Sequence, residues 1–177
     1  MDIVAHALWA GIGTSIYRDR RQLSRGQVAT VIVATILPDV FHALPVAAWA
    51  LTQGNPEALY AYAVATPGTE PRLPCWLDAV SHHIHCASHS MLVAGVISAI
   101  LPRYYPLAWV PLSGWWLHIV IDAPTHTADF YPSPVLYPLT YAGLDGVAWN
   151  TPAFQWANYV SLLVAYLWIA LRRLKAL

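Results

Sequence analysis

Long apolar stretches alternate along this chain with short segments in which charge and proline collect. A helix needs about 20 mainly apolar residues to cross the ~30 Å hydrocarbon core of a bilayer. Five stretches reach or approach that length. They run from about Asp2 to Tyr17, from Gln27 to Thr52 with interruptions at Pro38 and Pro45, from about Trp76 to Leu101, from about Pro106 to Asp122, and from Phe154 to Leu171. The first is short and needs help from neighbouring helices or local bilayer thinning. The third is polar and histidine-rich in its first half and apolar only from Met91 onward, and Pro124 discourages continuation of the fourth. Between the fourth and fifth stretches, residues 127–152 hold Pro132, Pro134, Pro138 and Pro152 among Tyr131, Tyr137, Tyr141 and Trp149. Prolines there predict an irregular cover, and the aromatics suit a membrane interface. The pattern predicts an all-α polytopic membrane bundle of about five spans, a single domain over 1–177, with no internal repeat. The apolar N-terminal stretch starts with an acid and lacks a basic leading region, so it reads as a retained helix rather than a signal peptide.

Composition strengthens this reading: 58% of residues are hydrophobic and 10% charged, against roughly 25% charged in soluble domains. Nine basic residues balance nine acidic ones. The chain therefore lacks the basic field that nucleic-acid binding requires, and its apolar excess argues against disorder. Cys75 and Cys86 are too few for a disulfide framework, and no bridge is predicted between them. Basic residues in short loops stay on the cytoplasmic side. Arg18, Arg20, Arg21 and Arg25 occupy the first connection, Arg103 the third, and Arg172, Arg173 and Lys175 the tail, whereas the other two connections share only Arg72. Five alternating spans then place the N-terminus outside and the C-terminus inside the cytoplasmic membrane.

All eight histidines fall toward the outer face in this topology. Helical positions three or four apart share a face. Asp2 pairs in this way with His6, Asp39 with His42, His82 with His85 and His89, and His118 with Asp122. Imidazole and carboxylate at such spacings on facing helices are how bundles build dinuclear metal sites. The predicted ligands are His6, Asp39, His42, His85, His89, His118 and Asp122. That exceeds what one zinc takes, so two or more ions are expected, zinc first and manganese, iron or nickel less so. His83 projects about 100° away from the His82/His85/His89 face and reads as supporting or structural. Cys86 reads as a small buried thiol.

Each element also has a plainer reading. A lone histidine such as His6 can be an interfacial hydrogen-bonding side chain. Asp39 within a span costs roughly 2.5–3.5 kcal/mol on insertion scales, which points to function unless Pro38 ends the helix and leaves the carboxylate in water. Paired metals generate a hydroxide at neutral pH and clamp both oxygens of a phosphoryl displacement, which makes phosphoester hydrolysis the leading reaction. Its substrate would be a phospholipid or another phosphorylated amphiphile from the outer leaflet, with the proline-rich segment as a lid. His126 can contact substrate phosphate or metal, and Asp78 or Asp129 can serve as general base. The competing readings are a metal transporter or sensor using the same ligands, and a scaffold in which the polar groups only bond across helices.

An early histidine (His6), LPDVFH at 37–42, SHS at 88–90 after further histidines, and HIVIDAPTH at 118–126 before a proline-rich segment occur in that order. This ordered set, over roughly residues 1–150, resembles the YdjM-like family of inner-membrane metal-dependent hydrolases. Matched position by position, the resemblance marks His6, Asp39, His42, His89, Ser90, His118 and Asp122. It implies a metal-dependent hydrolase in the inner membrane. Three positions depart from the family pattern. Phe41 stands where a second Asp occurs, Ser88 replaces Thr, and Ile84 and His85 stand where His and Arg occur. Either His83 or His85 supplies the missing histidine through a local shift, or the site is altered. The ligand style is also similar to that of zinc-dependent phospholipases C.

Overall fold

The computed structural model describes residues 1–21 and 23–175. Gln22, Ala176 and Leu177 lie outside the described residues, as do the side chains of Arg20 and Arg21, on which part of the charge asymmetry rests. Among the described residues seven α-helices account for the regular structure: α1 (Ile3–Arg21), α2 (Arg25–Thr52), α3 (Pro56–Ala63), α4 (Cys75–Ser88), α5 (Met91–Tyr104), α6 (Trp109–Asp122) and α7 (Pro152–Leu174), with a short 3-10 turn at Pro106–Ala108. Two of them, α2 and α7, are each long and apolar enough to cross a membrane, and α4 with α5 makes a third if the bent pair is one span. Leu163, Val164, Leu167, Trp168 and Leu171 on α7 are exposed. Exposed apolar surface of this extent is consistent with membrane association.

Local chemistry explains where these helices start and stop. The Ser24 hydroxyl accepts from the Gln27 amide at 3.2 Å while the Gln27 side chain accepts from the Ser24 amide at 2.9 Å, a reciprocal cap that starts α2. The helix then runs without a break through Pro38 and Pro45. A helix end at Pro38, which would have set Asp39 in water, does not occur. In a membrane-type bundle the carbonyls that proline frees are satisfied by neighbouring helices. α3 starts where Asn55 accepts from the Ala58 amide at 3.2 Å, with Pro56 and Glu57 in the first turn.

The predicted third span is two helices rather than one, α4 and α5, bent by 59° at His89 and Ser90. Ser90 adopts an extended backbone and its hydroxyl caps α5 by accepting from Val93 at 3.1 Å. The bend turns the C-terminal end of α4, with His89, toward the other helices.

α6 lies along α2, and α1 packs on α2 on one side and on α7 on the other. Ala5 and Ile12 of α1 meet Leu162 and Ile169 of α7 in a buried seam. Gly114 brings α6 so close to α2 that an added Cβ would overlap the Val31 carbonyl and lie 2.9 Å from the Ala34 Cβ. Small residues at a helix crossing allow this approach. After α6 the chain is irregular through residue 151 and folds back on itself: Gly146 donates to the His126 carbonyl at 2.8 Å, Val147 to Pro124 at 3.0 Å and Trp149 to Thr125 at 2.9 Å. The segment is clasped to the α4–α5 bend by the Ser90 hydroxyl, which donates to the Tyr137 carbonyl at 2.6 Å.

Candidate metal centre

Four side chains from three helical segments converge. Asp39 from the middle of α2, His89 from the α4–α5 bend, and His118 and Asp122 from the last two turns of α6 each offer one ligand atom, all within 4.8 Å of one another. His89, His118 and Asp122 are completely buried. The i, i+4 spacing on α6 sets His118 and Asp122 on one face, where His118 Nε2 lies 3.4 Å from Asp122 Oδ2. His89 Nε2 lies 3.2 Å from the same oxygen and 3.6 Å from Asp39 Oδ1.

The tautomers of these histidines follow from what holds their other nitrogen. His118 Nδ1–H donates to the Thr35 carbonyl at 2.8 Å, in the turn of α2 beside Pro38, and His89 Nδ1–H donates to the His85 carbonyl at 2.8 Å. With both rings neutral, the two Nε2 atoms carry lone pairs that face each other at 2.9 Å. Acceptors at that separation repel unless a proton or a metal cation draws on both. A backbone carbonyl that fixes the far nitrogen is also the usual support of a ligating histidine.

His42 is held by a longer relay. The Ser81 hydroxyl donates to the His42 carbonyl at 2.7 Å, so it can accept from the Tyr62 hydroxyl at 3.1 Å. That hydroxyl in turn accepts from His42 Nδ1–H at 3.0 Å. The relay directs His42 Nε2 toward Asp39 Oδ1, 3.8 Å away. Tyr62 and Ser81 were not singled out by sequence spacing.

The remaining predicted residues surround this core. His6 Nε2 approaches Asp122 Oδ1 at 2.8 Å, and its ring stacks on His118 with centroids 4.1 Å apart. His126 Nε2 lies 3.2 Å from Asp122 Oδ2. Burial pushes the His126 imidazole below its ordinary range, against the pull of the Asp122 carboxylate. The Met1 amino group also pairs with Asp122. His85 sits beside His89, ring centroids 4.0 Å apart, with Nε2–H donating to the Pro132 carbonyl at 3.1 Å. His82 and His83 are exposed near Tyr141 and Tyr137, away from the centre. Cys86 is buried and unbridged, and Cys75 is exposed. Ser90 shapes the bend rather than facing the carboxylates.

Asp78, in the first turn of α4, and Asp129, in the loop, are both exposed. Among the described residues neither touches the four-residue group.

The fit to a cation rests on atoms that protein partners leave unsatisfied. His6 Nδ1, Asp39 Oδ2, Asp122 Oδ2 and His126 Nδ1 are buried without a hydrogen-bond partner. Buried polar atoms in native proteins are nearly always paired, so four orphans on the imidazoles and carboxylates of this centre mark a place for something else to bind. Nitrogen and oxygen donors of this kind suit a transition metal.

A cavity of about 240 Å³ opens onto the cluster, with Asp39, His42, His85 and His126 at its polar end and Ile3, Val4, Ala43, Leu59 and Ala63 among its apolar walls. Ile3 and Val4 at its margin are exposed. No family model, no curated protein and no solved structure matches this chain.

Proposed function

We propose that the protein is a membrane-embedded metal-dependent hydrolase that cleaves a phosphoester of a lipid or another amphiphile. The observation that carries the reading is the convergence of Asp39, His89, His118 and Asp122, with the Nε2 atoms of His89 and His118 2.9 Å apart. These four would hold one ion, zinc by preference. Asp39, His42 and His126, turned toward the cavity, would contribute to a second. Such ions supply a nucleophilic hydroxide and offset charge on a phosphoryl group.

The chain's own part is to exclude water, to hold its imidazoles in the ligating tautomer, and to present an apolar approach. The apolar walls of the cavity favour a substrate with a hydrocarbon portion, and metal ions held at its polar end would favour an anionic one. His126 lies where it can contact phosphate or share in ligation.

The five-span, N-out topology belongs to this reading, with the centre toward the non-cytoplasmic face of the inner membrane. The element order supports it: α1, α5 and α7 each begin near the cluster or its cover and carry Arg18, Arg103 and Arg172 respectively in their last turns. The resemblance of the ordered motifs to the YdjM-like hydrolases accords with the same site.

Metal analysis of detergent-purified protein, followed by chelation, re-addition and assay on phospholipid vesicles, tests the proposal. Stoichiometric metal and chelator-reversible phosphate-ester cleavage are expected, with both lost in His118→Ala and Asp122→Ala variants that still fold. Purified protein that holds no transition metal would overturn it.

A further inference from the structure

A second chamber of about 210 Å³ adjoins the first and shares Tyr62, His85 and Tyr131 with it. Its character is different. Glu70 from the α3–α4 connection and Asp78 from the first turn of α4 line it, together with His82. No lysine or arginine does: Pro71 and Leu73 contribute to the wall, while Arg72 between them is exposed. Among the described residues neither carboxylate makes an ion pair with a basic side chain. The Tyr62 and Tyr131 rings meet edge to face with centroids 5.8 Å apart, at the partition between the two chambers. Burial, then the neighbouring Tyr62, Glu70 and Asp78, push the Tyr131 phenol above its ordinary range, so the ring stays neutral beside two negative charges.

An independent feature points to a hydrogen-bond donor as the occupant. His85 is 4% exposed, and because its Nε2–H is committed to the Pro132 carbonyl, its Nδ1 is an acceptor. That acceptor is buried and has no partner. Carboxylates, aromatic faces and a bare imidazole lone pair are the elements of a site for an ammonium group, and the lone pair favours one that still carries N–H.

We infer that this chamber receives the primary ammonium of the substrate's head group, so that the cleaved phosphoester is one borne by an amino alcohol. The inference rests on the hydrolase reading, since it takes the phosphate to lie at the metal centre, across the Tyr62/Tyr131 partition from the ammonium. Glu70 and Asp78 then act as specificity residues. Neither is asked to take part in bond cleavage.

The test compares phosphoethanolamine with ethyl phosphate, which lacks the amino group, by ligand-observed NMR titration of the detergent-solubilised full chain, both zinc-loaded and chelator-treated. Metal content is measured in parallel. The wild type should bind phosphoethanolamine at least about tenfold more tightly. Glu70→Gln with Asp78→Asn should bring that ratio close to one while leaving metal content and ethyl phosphate binding intact. Equal binding of the two probes by metal-loaded wild type overturns the ammonium chamber and leaves the hydrolase reading standing. A preference that persists in protein unable to take up metal overturns the hydrolase reading and supports the chamber. A ratio unchanged in the double variant overturns the assignment of Glu70 and Asp78.

Discussion

Gly114→Ala tests whether the α2–α6 crossing sets the geometry of the metal centre. The new Cβ would meet the Val31 carbonyl, the Ala34 Cβ at 2.9 Å and the Thr35 amide at 3.1 Å. Carbon atoms settle at about 3.5–4.0 Å. The neighbours are backbone and a Cβ, not flexible side-chain ends, so α6 must withdraw from α2 by on the order of 1 Å. His118 lies one turn further along α6, with its Nδ1–H 2.8 Å from the Thr35 carbonyl and its Nε2 2.9 Å from His89. Withdrawal stretches the first contact and shifts the second. Ligand sites tolerate about ±0.2 Å, so the displacement exceeds what a well-formed centre absorbs. Overpacking alone costs about 1–3 kcal/mol, and loss of the histidine's carbonyl support lowers metal affinity by about 10–100-fold. The assay is metal content and competitive zinc titration in detergent, alongside thermal unfolding with and without metal. Gly95→Ala on α5 is the control, because nothing lies within 4 Å of its added Cβ. It should bind metal like wild type. If Gly114→Ala also binds metal with wild-type affinity and stoichiometry, the crossing does not position His118 and the reasoning fails.

Other substitutions separate ligands from their supports. Asp122→Asn keeps the shape of a fully buried side chain but removes the charge that His6, His89, His118 and His126 all approach; metal should no longer survive gel filtration, as measured by elemental analysis. Tyr62→Phe removes the hydroxyl that fixes the His42 tautomer and should weaken metal binding by about 10–100-fold without unfolding the protein, a loss that zinc titration reads directly. Ser90→Ala removes both the α5 cap and the clasp to Tyr137; it should cost about 0.5–2 kcal/mol in thermal or denaturant unfolding and raise protease sensitivity in residues 127–151. Asp129→Asn, on an exposed loop position, should leave metal content unchanged, and a clear loss of metal would place that carboxylate in the centre after all.

Which parts of this structure could be read from sequence follows from the range of the interactions involved. His118 and Asp122 were legible because i, i+4 spacing on one helix is a local property, and Asp39 because a carboxylate in an apolar run is costly wherever the helix packs. The α4–α5 bend is hidden inside one predicted span because the helical spacing of His82, His85 and His89 runs directly into the apolar stretch from Met91; the signal is Ser90 three residues ahead of Val93, a capping position beside the histidines. α3 had a local signal as well, Asn55-Pro56-Glu57, and shortness concealed it. Tyr62, Ser81 and the Thr35 carbonyl are of another kind. They act on the centre only through contacts between segments 20 or more positions apart, such as Tyr62 with His42 and Thr35 with His118. No spacing rule on a single helix reports such a contact. The distinction has a chemical consequence. Ligand types are chosen by the local sequence, but the direction of His118 is set by the Thr35 carbonyl on another helix and that of His42 by one tyrosine. A chain that kept every histidine and aspartate and lost Gly114 or Tyr62 would keep the ligand pattern and lose the geometry that makes it a site.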